Sequence, residues 1–199
     1  MPTPMPLPTV IPTIEADTIR LRALESKDVA DMHDIYSDEI AMEYWGSPPT
    51  TSTEQSRQLV NRDLKAVENG LALTWAIELK KTGKTIGKCI LWQYNESNQR
   101  AEVGYILSRD YWRRGLMTQA LQAMIDYAFT SLEIHRLEAD TDDNNNGSLT
   151  LLEKLGFQRE GFFRERWYVS GKWQNSVMLG LLKQDWTNGN NGLKNEKQQ

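Results

Sequence analysis

The sequence predicts a mixed α/β domain, and three observations carry that prediction. Residues 103–121 change period in mid-stretch. Val103, Tyr105 and Leu107 alternate with Gly104 and Ile106, and then Leu116, Ala120, Leu121, Met124, Ile125 and Ala128 recur at helical spacing. Elsewhere, apolar patterns and turn residues give the order strand, two helices, three strands, helix, strand, helix and two strands. The 199 residues suit one domain with a substantial core.

Residues 1–13 hold five prolines in the first twelve positions and read as an extended, mobile arm, ahead of a single domain over 14–186. Residues 18–24 alternate as a first strand, and Ser26 is placed to cap a helix running to about Ser37. Gly46, Pro48 and Pro49 exclude regular helix in the next stretch. Ser52 or Thr53 caps a second helix that Gly70 ends. Residues 73–79 and 85–92 form a hairpin around Thr82 and Gly83, and a polar loop leads into a strand at 101–107. After the central helix, residues 135–140 are a strand, and Ser148 caps a short helix that stops at Gly156. Residues 158–169 and 173–182 are two long strands joined at Ser170, Gly171 and Lys172. Residues 187–199 form a polar, Asn-rich tail expected to be disordered.

Composition excludes several classes. A net charge of −4 argues against general nucleic-acid affinity. The single cysteine, Cys89, permits no internal disulfide and suits a reducing cytoplasm. No apolar run reaches membrane-spanning length, and the start does not read as a signal peptide. His33 and His135 with one cysteine make no zinc set, so no metal is expected.

Arg113, Arg114 and Gly115 mark a tight turn between strand and helix. The first N–H groups of a helix lack partners within it, and the helix dipole adds positive charge there. Such a turn can hold phosphate through its backbone, with the two arginines adding charge and Gly115 allowing close approach. The run from Glu102 to Tyr105, followed by Tyr111 to Leu121, resembles the acyl-CoA-binding segment of the GCN5-related N-acetyltransferases (GNAT), and most of all the RimJ/RimL-type branch of ribosomal-protein N-terminal acetyltransferases. Trp112 stands where the usual pattern has Gln or Arg, and Met117 takes its final small-residue position. The resemblance continues through Ile134 to Ala139, Asn145 to Ser148, Leu152 to Phe157, and Gly171 to Trp173. It implies the GNAT fold: a mixed twisted sheet of about seven strands flanked by about four helices. It also implies acetyl-CoA as co-substrate. Tyr105, Ile106 and Leu107 would then line a splayed strand that pairs with pantetheine. Arg113, Arg114, Gly115, Leu116, Met117 and Thr118 would form the pyrophosphate turn, with Asn145 and Ser148 beside the acyl end.

Acetyl transfer to an amine requires the neutral amine. An α-amino group has a pKa of ~8 and a lysine one of ~10.4, so the second needs more help. The enzyme must orient the amine, stabilise the oxyanion and protonate the leaving thiolate. Many relatives use a tyrosine on the last helix as acid; Leu152 occupies that position here. Ser148 is the leading substitute and Glu102 the leading base, with a helix cap and a paired strand carboxylate as the plain alternatives. Glu165 shares a face with Trp167 by its spacing and is expected in an ion pair with Arg164 or Arg166. Tyr44, Trp45, Trp167 and Trp173 are the candidates for acceptor binding.

The resemblance implies a cytoplasmic N-acetyltransferase acting by direct transfer, with a protein N-terminal α-amino group as the leading acceptor. A small amine such as a polyamine, amino acid or aminoglycoside is the alternative, favoured if the acceptor cleft is densely acidic. A non-catalytic acyl-CoA sensor is the alternative from another class. Homodimers are common in the branch, and a homodimer is among the expected partners.

Overall fold

The structure, a computed structural model, describes residues 7–169 and 171–186. Eight strands form one sheet: β1 (Ile14–Glu15), β2 (Ile19–Ala23), β3 (Leu73–Leu79), β4 (Thr85–Asn95), β5 (Arg100–Leu107), β6 (Arg136–Asp142), β7 (Gln158–Val169) and β8 (Lys172–Leu182). Their order is β1-β2-β3-β4-β5-β6-β8-β7. Among the described residues four α-helices cover it, α1 (Val29–Tyr36), α2 (Thr53–Glu68), α3 (Leu116–Thr130) and α4 (Asn146–Lys154), and residues 183–186 add a further helical turn. Among the described residues no helix is long and apolar enough to cross a membrane.

Each face of the sheet has its own core. Leu121, Met124, Ile125 and Phe129 of α3, Leu149 and Leu152 of α4 and Leu155 just after it pack with Leu73, Trp75, Leu91 and Val103 on one side. Met32, Ile35 and Tyr36 of α1 and Val60 of α2 pack with Ala76 of β3 and Ile106 of β5 on the other. The alternation on β5 follows from the strand period. Ala101, Val103 and Leu107 face α3 and α4, whereas Ile106 faces α1 and α2.

Neighbouring strands run antiparallel except β5 and β6, which pair in parallel at Arg100 with Arg136, Ala101 with Leu137 and Glu102 with Glu138. Beyond that point β5 stays paired to β4 as far as Leu107, while β6 follows β8 to Asp142. The two strands therefore part at Glu102 and leave a cleft between them.

Several local details differ from the sequence expectation. The arm does not begin where the prolines do: Leu7 is 5% exposed within the core, and the Trp75 indole donates to the Pro12 carbonyl at 3.0 Å. Residues 1–6 and the expected tail at 187–199 lie outside the described residues, as does Ser170 of the last hairpin. A short strand precedes β2, giving eight strands where seven were expected. Glu25, not Ser26, caps the first helical turn, with Asp28 closing a capping box. Asn145, not Ser148, caps α4, its side-chain oxygen accepting from the Ser148 N–H at 3.0 Å. An Asn side chain fits the N-cap as well as a serine does, and here it leaves the Ser148 hydroxyl for another partner.

One buried charge sits beneath the loop after α1. Lys88 of β4 is 1% exposed and bonds Asp63 of α2. Its ammonium lies 5.3 Å from the centre of the Tyr36 ring and 5.2 Å from that of Trp45. Removing one member of such a pair strands the other charge away from water. The Asp63→Leu variant should therefore lose about 3–5 kcal/mol of stability in urea unfolding. Adding Lys88→Met to it should recover most of that loss, whereas additive losses would mean that the ion pair is not the cause.

Candidate active site

Beyond the point where β5 and β6 part, a cleft of about 570 Å³ opens between β5 and the start of α4. Its lower wall is Tyr105, Ile106 and Leu107 of β5, and its far wall is Asn145, Ser148 and Leu151 at the start of α4. The turn before α3 closes one end, with Arg113, Gly115, Leu116, Met117 and Thr118 on the lining. Tyr44 and Trp45 overhang the opposite rim.

The turn has the shape the sequence asked for. Gly115 is the N-cap of α3 with φ +71° and no side-chain cap, and Arg113 also takes a positive φ of 59°. A left-handed backbone is strained for any residue with a Cβ, which accounts for glycine at 115. The helix begins with the Gln119 N–H donating to the Gly115 carbonyl, so the N–H groups before Gln119 point out of the helix end. The helix has no acidic residue in its first turn. The space around Gly115 is open, with no atom within 4 Å of where a Cβ would stand. Open backbone donors, the positive end of a helix dipole and the Arg113 charge fit a pyrophosphate. Trp112 reinforces the approach by donating its indole N–H to the Leu107 carbonyl at 2.8 Å. Arg114 stands apart from the lining, its guanidinium 5.4 Å from the centre of the Tyr111 ring.

At the α4 end of the cleft, Tyr105 Oη and Ser148 Oγ share a hydrogen bond of 2.5 Å. Leu152, one turn further along α4, is fully buried in the core. The hydroxyl that many relatives carry at that position is absent, and two hydroxyls from other positions lie side by side instead.

Glu102 is the last residue of β5 paired to β6, on the opposite face from Tyr105, and it stands outside the residues lining the cleft. Its neighbours on β6 are paired: Glu138 by Arg100 and by Arg136 at 2.9 Å, Asp140 by Arg166 at 2.8 Å and by the Trp167 indole at 3.2 Å. Burial pushes the Glu102 carboxyl up to about 7, aided by repulsion from Asp140 and Glu138 and opposed by Arg166 and Arg100. Cys89 is buried, and burial pushes its thiol far above the ordinary value, which rules it out as a nucleophile at neutral pH.

A second cleft of about 580 Å³ adjoins the first through Glu43, Tyr44 and Asn144, which line both. Four carboxylates line it, Glu39, Glu43, Asp142 and Asp143, against the single cation Lys172. Asp142 and Asp143 accept from the Asn144 side chain at 3.0 and 3.1 Å, and Asp143 also from Asn175 at 3.2 Å. Trp173 completes the wall. Of the four aromatic residues expected to meet the acceptor, Tyr44, Trp45 and Trp173 thus lie on the two clefts, whereas Trp167 sits over Asp140. Glu165 departs from its expected pairing. It takes φ +50° within a register shift between Phe163 and Trp167, so Arg166 and Trp167 reach the same carboxylate of Asp140. The four acidic lining residues were missed in the sequence; the only local signal was the Asp142–Asp143 doublet beside Asn145.

A family model described as an acetyltransferase (GNAT) domain matches residues 18–158. The chain belongs to the GNAT acetyltransferases. Among curated relatives, an uncharacterized N-acetyltransferase, p20 of Bacillus licheniformis, is 33% identical over 174 residues, covering 87% of this chain and 98% of its own. The spermidine N(1)-acetyltransferase of Escherichia coli K12 is 26% identical over 168 residues, covering 84% of this chain and 88% of its own. Among solved structures, the ribosomal-protein-S5-alanine acetyltransferase from Vibrio fischeri superposes with a TM-score of 0.76 at 22% identity, covering 88% of this chain and 98% of the other. This GNAT chain is an N-acetyltransferase, and its family uses acetyl-CoA.

If the turn holds the pyrophosphate, bulk and negative charge there must weaken binding. Gly115→Asp should fold, yet bind CoA at least about tenfold more weakly by calorimetry, a change of roughly 1.4 kcal/mol or more. Unchanged affinity in the folded variant would remove the turn from the site.

Proposed function

We propose that this N-acetyltransferase transfers acetyl directly from acetyl-CoA to an amine that carries further positive charge, of the polyamine class. The observation that carries this reading is the second cleft, where four carboxylates face one lysine at the mouth of the acyl cleft. Opposite charge in a concave site raises the local concentration of a cationic substrate and fixes its approach. The 26% identity to a spermidine acetyltransferase along most of both chains points the same way. A protein N-terminus is the second reading. The aromatic side chains of Tyr44 and Trp173 favour it, because they suit the apolar part of a peptide end.

Within either reading the residues divide the work. The α3 turn and the open edge of β5 hold acetyl-CoA, which supplies the acyl group as a thioester. Ser148 donates its hydroxyl proton toward the departing sulfur, being a hydroxyl on the cleft wall next to the acyl end. Glu102 removes a proton from the amine through water, since it stands behind the lining. No enzyme nucleophile takes part.

The acceptor is tested by thiol release from acetyl-CoA with polyamines, aminoglycosides and peptides with free or blocked N-termini. Turnover of polyamines, with the acceptor KM raised about tenfold or more in Asp142→Asn/Asp143→Asn and the acetyl-CoA KM unchanged, is the expected result. Turnover confined to free-terminus peptides would replace it with the second reading. CoA binding without any turnover would favour a sensor.

Glu102 gives a separate prediction. A base must be ionised, so kcat/KM should rise with pH through a limb near the Glu102 value of about 7. The Glu102→Gln variant should lose that limb and about 10²-fold in rate, leaving only the limb of the amine itself at higher pH. A variant that keeps both rate and limb would dismiss Glu102 as the base.

A further inference from the structure

Tyr105 reaches Ser148 from a different element. Its side chain leaves β5 on the α3 and α4 side, packs against the core there, and ends with Oη 2.5 Å from Ser148 Oγ. Ser148 is held at its other end as well, its N–H donating to the Asn145 side chain at 3.0 Å. Both hydroxyls lie on the acyl cleft.

Two hydroxyls in contact share one proton, and the phenol is the stronger donor. A phenol ionises at a pH of ~10, far below an aliphatic alcohol, while the alcohol oxygen is the better acceptor. Burial keeps the Tyr105 phenol neutral by raising its pKa further. Cys89 of β4, the ladder partner of Tyr105, is a buried neutral thiol and competes only weakly as an acceptor. Once the phenol occupies one lone pair of Ser148 Oγ, the serine proton must point elsewhere, and the open side is the cleft. Accepting a strong hydrogen bond also polarises the serine O–H.

We infer that Tyr105 is a positioning residue: its phenolic O–H donates to Ser148 Oγ and turns the Ser148 proton into the cleft, toward the sulfur that departs. This inference rests on the reading of Ser148 as proton donor. In the step concerned, the C–N bond forms and the C–S bond breaks. The sulfur takes the Ser148 proton, and the one proton that the neutral amine loses passes through water to Glu102 and from there, again through water, back to Ser148, so both groups end as they began. Tyr105 stays neutral throughout.

The test compares Tyr105→Phe, Ser148→Ala and the double variant, with CoA affinity as the check on folding. Tyr105→Phe should lower kcat about tenfold with the acetyl-CoA KM unchanged. The double variant should match Ser148→Ala, because Tyr105 acts only through that serine. Wild-type kcat in Tyr105→Phe with an impaired Ser148→Ala would overturn the positioning role and leave the donor standing. Wild-type kcat in Ser148→Ala would overturn the donor itself. A second measurement covers a poorly folded Phe variant. With 3,5-difluorotyrosine at position 105, kcat should fall with rising pH at a lower pH than in the native enzyme, as the more acidic phenol loses its donor proton. An unchanged profile would overturn the inference.

Discussion

Three residues of β5 run parallel to three of β6, and past Glu102 the two strands separate. The rest of the site depends on that separation. Each strand remains anchored on its far side, β5 to β4 and β6 to β8, so the gap is held open by two intact ladders. Backbone groups along the inner edge of β5 must find partners other than β6. An extended pantetheine chain, with amides spaced along it, can supply them. The chain runs on from β5 through the 3-10 turn Arg109–Tyr111, Trp112 and Arg113 to the α3 N-terminus, so one continuous segment lines the cleft from Tyr105 to Thr118.

The parting point also concentrates charge. Glu138 and Asp140 are matched by Arg100, Arg136 and Arg166, but Glu102 sits between them where burial and repulsion act together. Its folded pKa lies above the ordinary value of ~4.3, so the native state holds this proton more tightly than the unfolded chain. The contribution to stability is complete below ~4.3 and is lost as pH rises through about 7. The arrangement is one in which stability is given up for a group that titrates near neutrality.

Local signals in the sequence were enough where the structure is local. The change from alternation to helical spacing around Gly115 located the turn, because a left-handed residue leaves glycine as its signature. The same logic chose the wrong cap for α4, since Asn144, Asn145 and Ser148 all suit such a position and only packing decides among them. Glu165 was expected to share the face of Trp167, which assumes an unbroken period of two, and the positive φ at Glu165 breaks that period. The acidic cleft could not be read at all. Glu39 and Glu43 lie about a hundred residues from Asp142 and Asp143, and only the approach of the loop after α1 to the end of β6 unites them. Leu7 illustrates the same limit, a single apolar residue among prolines that becomes part of the core.

The two clefts set opposing demands on an acceptor. Carboxylates attract a cationic amine, yet they also raise its pKa and hold it in the protonated form that cannot attack. At the acyl end the lining changes to Tyr105, Ile106 and Leu107, a less polar wall where burial disfavours charge and lowers an amine pKa. A molecule with a single amine must meet both demands with one group. On the proposed polyamine reading a molecule with two separated amines need not: one would stay charged among Glu39, Glu43, Asp142 and Asp143, while the other would lie neutral beside the thioester. The junction at Glu43, Tyr44 and Asn144 is where the environment changes, so on the proposed polyamine reading the spacing between amines, more than their basicity, would govern which acceptors are turned over.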